Sequence, residues 1–493
     1  MLVNTQELLH RCLDRLNDDH ILTVVVDLET NGLEPYLGNR LIGIALYLPE
    51  VDESYYIPFR HGEGFNWSLD VLEKFYAPLS DEDRSYYGWN VKFDVHFLLV
   101  DGFPILENNV PYYDVMLALH MLDENRYDPM DERKLNYKLK DNGRLFLGVE
   151  QGEAEDELKD VLKERGLGKG DMWKLPADTV NEYAEQDVIL TWRLFQFFLP
   201  YLETWNQVDL FYENATINTT ILARMEHYGV PVDKEKIQAH IKENQEKSQD
   251  ILVSLRSHFG SHFNPNSPKQ VSEAFGSDNA KKGTLEGLDN EWADLILEYK
   301  YLTKAEGTFY KPYLYYSAFD GRIHPTFHMG RTNSRRLSSS DPNLQQVPRY
   351  SNKYRVKEVF VAPNGYKLVQ FDYAQQELRL ACNFSGQENM IQLFLEDRDL
   401  HAYTAAYLFG VDEQWILENK DHDPKAKEMR HIGKTANFGF LYGMGKRKAS
   451  VYLSENLKRE VSEKEASKIL GAWRECFRSS FLSYKSVPLL QIP

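Results

Sequence analysis

The chain has 493 residues, too many for one ordinary core, and its 42% hydrophobic and 13% aromatic content excludes a disordered protein. A formal net charge of −18 excludes a uniformly basic surface, yet charge is unevenly distributed. Acids gather at Glu153 to Glu157 and Asp81 to Asp83, whereas 425–448 contains Lys425, Lys427, Arg430, Lys434, Lys446, Arg447 and Lys448, so an acidic body with a basic groove is open. The three cysteines, Cys12, Cys382 and Cys476, lie far apart without metal spacing, which argues against a disulfide framework or zinc site. No stretch is apolar over the length needed to span a bilayer, so the expectation is a soluble chain in the cytoplasm with no membrane partner.

In chain order, MLVNTQELLHRCLDRL reads as an amphipathic helix with Asn4 and Glu7 as a capping box. ILTVVVDLET is rich in β-branched residues and predicts a strand that breaks at Asn31-Gly32. RLIGIALYLP and SYYIPF extend it to a meander, and helical segments begin near Ser68. From Tyr113 to about Tyr201 the apolar spacing is mostly helical, interrupted by a charged loop at Gly166 to Gly170. Long helical periodicity follows from Leu210, broken at Gly229-Val-Pro231. FNPNSPKQV predicts a loop opening a helix, with Ser267 as cap and Pro268 at the first helical position. Gly276 to Gly287 reads as an exposed tip, KLVQFDY after Gly365 as a strand leading into the helix QQELRLACNF, and the rest to Trp473 as helical.

Asp27 and Glu29 are two apart at the end of the first strand, so their side chains point the same way. Asn90-Val-Lys-Phe-Asp94 is a strand-to-helix connection, and Tyr183 and Asp187 are four apart on one helix face. Each is unremarkable alone. Together the ordered set D-x-E-T, N-x-K-F-D and Y-x3-D resembles the three motifs of the DEDDy exonucleases, which have an RNase H-like fold, at the spacing of the 3′-5′ proofreading domain of family A DNA polymerases. The resemblance implies that Asp27, Glu29, Asp94 and Asp187 hold two Mg²⁺ or Mn²⁺ ions about 3.5–4 Å apart. It also implies that Tyr183, helped by Glu29, orients the attacking water, and that Asn90 and Leu33 contact the substrate strand.

Asp372-Tyr-Ala-Gln-Gln-Glu377-Leu-Arg379 resembles motif A of the same family, usually D-Y-S-Q-I-E-L-R, with Ala374 and Gln376 as departures. By that match Asp372 and the carbonyl of Tyr373 bind catalytic metals, Gln375 lies at the nucleotide, and Glu377 excludes ribonucleotides beside the sugar. Arg430, Lys434, Phe438 and Tyr442 recur every four residues and resemble the family's O helix, R-x3-K-x3-F-x3-Y-G. Arg430 and Lys434 would hold the triphosphate, Lys434 would also protonate the leaving pyrophosphate, Phe438 would stack near the sugar and base, and Tyr442 would occupy the templating position. His401 matches a further phosphate contact. RRLSSSDPNLQQVP resembles T-G-R-L-S-S-x-D-P-N-L-Q-N-I-P, so Arg336 would touch the primer terminus and Asn343 and Gln345 the template. Arg335 stands where the family has glycine, which puts the local backbone in question.

The expected fold class is therefore α/β and α+β multidomain: an RNase H-like exonuclease domain over 1–205, a thumb with connecting helices over 206–320, the first part of a palm over 321–385, and fingers over 386–493. No His-Asp-Glu tripeptide occurs, so the second metal carboxylate of motif C is absent, the right hand reads as incomplete, and nucleotidyl transfer is expected to need a further segment or a second polypeptide carrying the rest of the palm. The partners implied are primer-template DNA, single-stranded 3′ ends and dNTPs, and the absence of a 5′-nuclease domain resembles phage-type enzymes, with the host-cell cytoplasm as the corresponding location. The alternatives are a stand-alone 3′-5′ exonuclease with a vestigial polymerase body and a non-catalytic DNA-binding subunit.

Overall fold

The computed structural model describes residues 1–128, 133–149, 153–332, 334–349, 355–441, 443–457 and 459–477. The chain divides into two compact units, Met1–Leu368 and Val369–Pro493.

The first unit is built on a five-stranded sheet. Its strands are β1 (Thr23–Thr30), β2 (Leu41–Leu48), β3 (Glu53–Pro58), β4 (Ser85–Gly88) and β5 (Tyr112–Asp114), in the order β3-β2-β1-β4-β5. The expected meander is present: β1 pairs antiparallel with β2, and β2 with β3. β4 and β5 add in parallel on the other side of β1. Helices cover both faces. Helix α1 (Gln6–Leu16) buries Leu9, Cys12 and Leu16 on one face, together with Val24, Val26 and Leu28 of β1. Helix α2 (Lys92–Val100) adds Val95, Phe97, Leu98 and Leu99 to that same layer. The opposite layer contains Val25 of β1 with α3 (Val115–Leu122), α5 (Glu153–Glu164) and the 28-residue α6 (Ala177–Thr204); α4 (Leu139–Leu147) also packs on α6. Every residue of β2 is buried, as befits a strand sandwiched between two layers. The edge strand β5 finds its partner in a side chain: Thr219 Oγ1 accepts from the Tyr112 amide at 2.9 Å and donates to the Tyr112 carbonyl at 3.0 Å.

The expected capping box does not start α1. Thr5 is the cap, extended at φ −129° and ψ 155°, and its hydroxyl accepts from the Leu8 amide at 3.3 Å. Glu7 lies in the first turn, where its charge complements the helix dipole. Beyond the sheet, the expected break falls at Gly229 (φ 65°), and α7 (Lys234–Phe259) packs on α8 (Glu291–Lys304) through Ile251, Leu255, Ile296 and Leu297. Ser267 caps Pro268–Phe275 as its sequence predicts. The supposed exposed tip is partly wrong: Lys282–Glu286 is a short helix whose Leu285 is buried, because one apolar side chain is enough to draw a polar segment onto the core. A two-stranded ribbon, β6 (Thr326–His328) with β7 (Ser338–Ser340), closes this part of the unit.

The second unit is helical, as expected, and includes α9 (Gln376–Ser385), α10 (Leu400–Phe409), α11 (Pro424–Leu441) and α12 (Glu463–Cys476) around Leu378, Leu393, Phe440 and Trp473. α10 and α11 meet at Gly433, where a Cβ would come within 2.5 Å of the His401 carbonyl, so only glycine allows the approach. KLVQFDY does not form the expected strand. Val369, Phe371 and Tyr373 are 69%, 89% and 80% exposed. Alternating apolar side chains suit a sheet, but a strand also needs a neighbour for its backbone groups, and none of the strands among the described residues pairs with this run.

The sheet tolerates little change of volume beneath the site. A Cβ on Gly43 of β2 would lie 2.2 Å from the buried hydroxyl of Tyr56. Gly43→Ala should therefore destabilise the first unit by about 1–3 kcal/mol, seen as a lower midpoint in chemical denaturation; a wild-type midpoint would show that the ring can move aside.

Candidate active site

Strand alternation aims the first two acids. Asp27 and Glu29 share the parity of Val25, which faces the layer holding α6, whereas Val24, Val26 and Leu28 face α1 and α2. On α6, Tyr183 and Asp187 lie four apart on one face, both buried. Asp94, in the first turn of α2, accepts a hydrogen bond from the Leu28 amide at 3.1 Å, which ties it to the backbone between Asp27 and Glu29. Asn90 adopts a left-handed conformation (φ 58°), which asparagine tolerates, and its amide donates to Asp114 Oδ1 at 2.8 Å. Leu33, on the turn after β1, is 75% exposed. Asn90, Tyr183 and Asp187 line an open cleft of about 800 Å³, together with Trp89, Tyr137, Lys138, Lys140, Arg144 and Lys169.

The four carboxylates feel one another. Burial and the nearby charge of Asp187 push Asp27 up to about 8. Burial, with Asp27 as the next cause, raises Glu29 and Asp94 well above the usual carboxylate range. Burial also raises Asp187, against the pull of Lys140 and Lys169. Burial and the surrounding acids hold the Tyr183 hydroxyl protonated.

Two lysines that the sequence reading did not single out enter this site. Lys140 forms an ion pair with Asp187, and its ammonium lies 4.4 Å from the centre of the Tyr183 ring. Lys169 donates to the Tyr183 hydroxyl at 3.0 Å. The signal available was the basic run Lys138, Lys140 and Arg144 lying opposite so many acids. Among the described residues no three His, Cys, Asp or Glu side chains stand in ligating geometry, with Asp187 paired to an ammonium. Four hard oxygen donors crowded enough to raise one another's pKa nevertheless fit oxygen-seeking divalent cations better than any other ligand class.

In the second unit Asp372 and Tyr373 are exposed on the run preceding α9, Gln375 takes a left-handed conformation (φ 53°) as the N-cap, and Glu377 lies in the first turn. Arg430 and Lys434 of α11 line an open cavity of about 300 Å³ with Lys420, Asp421, Lys427 and His431. Arg430 is held by Asp399 at 2.8 Å, and Lys420 lies 3.6 Å from the same carboxylate. Asp399 also caps α10, accepting from the His401 and Ala402 amides at 3.1 Å. His401 is buried beside Phe438 with ring centres 5.8 Å apart; burial, aided by Arg430 and Lys434, pushes it down to about 4. Tyr442 lies outside the described residues.

In the first unit, Arg336 is exposed, and Asn343 accepts from the Gln345 amide at 3.0 Å within a short turn. Arg335, standing where glycine was expected, takes the left-handed conformation itself (φ 55°), with its guanidinium donating to the Met121 carbonyl at 3.1 Å. A non-glycine residue in this conformation carries a strain of about 1 kcal/mol.

Residues 234–484 match the model for DNA polymerase family A, and residues 1–203 match a 3′-5′ exonuclease model. Among curated proteins the chain is 27% identical to DNA polymerase I of Borreliella burgdorferi, covering 85% of this chain and 45% of that protein. It is 29% identical to DNA polymerase I of Pseudomonas aeruginosa, covering 85% and 46%. Against thermostable DNA polymerase I of Thermus thermophilus it is 35% identical over 56% of this chain and 34% of that protein. The chain thus spans about half the length, or less, of these relatives. In fold it is similar to the POL domain of Pol1 from M. smegmatis, solved with DNA primer-template and dNTP, at a TM-score of 0.72, 20% identity, and coverage of 97% of this chain and 76% of that one.

A raised carboxyl pKa makes the folded chain hold protons that the unfolded chain releases. Stability from Asp27 therefore falls as pH rises from its ordinary value of 3.8 towards about 8. In chelator-treated protein Asp27→Asn should raise the thermal midpoint near pH 8 and leave it almost unchanged near pH 4. A lower midpoint for the variant at the higher pH would contradict the crowding of charge.

Proposed function

Since this chain belongs to DNA polymerase family A, we propose that its first unit removes nucleotides from DNA 3′ ends by metal-dependent hydrolysis, beside a polymerase body that binds dNTPs and primer-template for DNA replication. The observation that carries the reading is the convergence of Asp27, Glu29, Asp94 and Asp187, close enough to act on one another's charge, with Tyr183 and Asp187 lining the cleft. Exonuclease and polymerase domains of this family use divalent metals; in this chain those four carboxylates would hold them, as Mg²⁺ or Mn²⁺, two to a site. Bound ions would neutralise the phosphate and generate the nucleophile. Lys169 donates to the Tyr183 oxygen and the hydroxyl also bonds Asp187, so the phenol is held at the carboxylates, where it would turn its proton to the attacking water once metal takes up Asp187. Lys138 and Arg144 line the cleft as cations for the strand's phosphates, with Asn90 and Leu33 positioning its end.

In the polymerase body, 206–320 would be the thumb, 321–385 the first part of the palm and 386–493 the fingers. Arg430, Lys434 and His401 would take the triphosphate, with Phe438, Tyr442, Gln375 and Glu377 around the nucleotide. Asp372 and the Tyr373 carbonyl would hold metal, while Arg336, Asn343 and Gln345 would contact primer and template. The exposed side chains of Val369, Phe371 and Tyr373 favour a second element in this reading: a palm strand from a further segment or a second polypeptide, paired to this run and supplying the other metal carboxylate.

The purified chain should shorten a 5′-labelled single-stranded oligonucleotide from its 3′ end with Mg²⁺. Asp27→Ala should lose that activity by at least ~10²-fold, and Tyr183→Phe by roughly 10²-fold or less. A wild-type chain without Mg²⁺-dependent shortening, or a fully active Asp27→Ala, would sink the exonuclease assignment. Separately, Arg430→Ala and Lys434→Ala should each weaken binding of a fluorescent dNTP about tenfold or more in equilibrium titration, a loss expected from removing a charge-assisted phosphate contact of about 1.5–3 kcal/mol.

A further inference from the structure

Helix α2 is gripped on the side opposite Asp94. Lys92 and His96 are four residues apart and share one face of the helix, while Asp94, two residues on from Lys92, lies about 200° round the axis and meets the Leu28 amide of β1. On the gripped face stands Glu226, from the short helix Ala223–Tyr228, which is 1% exposed. Its Oε1 accepts from the Lys92 ammonium and from the Phe327 amide, the latter at 2.7 Å. Its Oε2 meets His96 Nε2 at 2.6 Å. Lys92 donates in addition to the Phe327 carbonyl. The other ring nitrogen of His96 lies 2.6 Å from the Tyr36 hydroxyl, and the Tyr36 ring stacks on His324 at 3.9 Å; His324 in turn lies 2.8 Å from the Glu226 carbonyl.

One carboxylate thus joins three pieces of chain: α2, the helix that carries it, and β6. The 3′-5′ exonuclease match ends at residue 203, so Glu226, His324 and Phe327 come from outside it. β6 leads directly into Met329, Gly330 and Arg331, which line the same cleft as Asn90 and Asp114. We infer that Glu226 is a positioning residue for the exonuclease site: by holding Lys92 and His96 from behind, it sets the rotation of α2 and hence the placement of Asp94 as a metal ligand. The inference rests on the metal-dependent exonuclease reading above. Groups that hydrogen-bond or steer a ligand without touching the metal commonly change metal affinity by about 10–100-fold when altered. A helix clamped on one face cannot roll, and a roll of even a few degrees moves a carboxylate at its surface.

The test uses the full chain, stripped with chelator, and reads Mn²⁺ binding by electron paramagnetic resonance alongside the Mg²⁺ dependence of 3′ shortening. Glu226→Gln should weaken Mn²⁺ binding at least fivefold and raise half-saturating Mg²⁺ similarly, with KM for single-stranded DNA unchanged. Glu226→Gln leaves the Lys92 ammonium buried without its partner charge, so the double variant Lys92→Met/Glu226→Gln removes both charges together. It should recover thermal stability without recovering metal affinity. Arg60→Gln, which breaks the ion pair with Asp101 at the far end of α2, should cost stability while leaving metal affinity alone. Metal affinity that returns with stability in the double variant would overturn the inference, as would a double variant that fails to fold, since Glu226 would then support the domain rather than aim one helix. If the wild-type chain itself neither binds Mn²⁺ nor shortens DNA, it is the exonuclease reading that fails instead.

Discussion

Burial of Asp27, Glu29, Asp94 and Asp187 close to one another is the constraint around which the first unit is arranged. At an effective dielectric near 20, two charges about 4 Å apart repel by about 4 kcal/mol, a large part of a domain's net stability. Left alone, such acids would move apart or keep their protons. Burial raises all four pKa values, and neighbouring carboxylates add to the rise at Asp27, Glu29 and Asp94. Lys140 and Lys169 offset part of the field. Two single charges cannot neutralise four, and an ammonium bonds as a donor with no open coordination for a phosphate or a water. A divalent ion supplies both the charge and the coordination, which is why a site under this much strain reads as prepared for metal and not as a structural ion pair.

Holding repelling groups in place requires elements that do not yield. Strand β1 is central in the sheet and backed on both faces, so Asp27 and Glu29 cannot swing away without breaking register with β2. Asp94 is bonded to that strand's backbone, and its helix is gripped from behind by Glu226. Asp187 projects from the 28-residue α6, which packs along β1 and β2. Asp114, at the end of edge strand β5, holds the Asn90 amide and also caps α3 through the Met116 amide at 3.0 Å. The rigidity is distributed over segments far apart in sequence, and part of it comes from residues beyond the exonuclease match.

What the sequence made legible follows from how local each signal is. The shared face of Asp27 and Glu29 is a consequence of the two-residue period of a strand, and that of Tyr183 and Asp187 of the helical period; both need only nearby residues. The Ser267-Pro268 helix start was equally local. Glu226 was not legible, because its partners stand a hundred and more residues away in sequence, and an isolated glutamate before a glycine break looks like any other. Lys140 and Lys169 lie nearer their partners in sequence, but on other elements, where helical or strand periodicity does not reach. KLVQFDY failed in the opposite direction: its residues have every local property of a strand, but strand formation is a relation between two segments. Arg335 adds a subtler case. A missing glycine put the local backbone in question, and the arginine itself takes a left-handed conformation with its guanidinium tied to the Met121 carbonyl.

In the second unit a held charge, Arg430, stands beside an exposed one, Lys434. Asp399 caps α10 and grips Arg430, with Lys420 nearby, so its carboxylate is bonded whichever partner leaves. Arg430 is therefore already oriented over the cavity it lines with Lys434, and little rotamer freedom is left to lose when an anion arrives. Lys434, by contrast, is exposed and must order itself. His401 is kept neutral by burial and by those two cations, and its ring nitrogen lies 3.1 Å from Asn437 Nδ2, while Asn437 Oδ1 accepts from the Trp473 indole at 2.8 Å. A neutral, fixed imidazole can offer a hydrogen bond to a phosphate oxygen without adding a third positive charge to a cluster already crowded with them. In the proposed triphosphate site the guanidinium would thus supply direction, the lysine charge, and the histidine a neutral donor, three roles that equal distances to one anion would not distinguish.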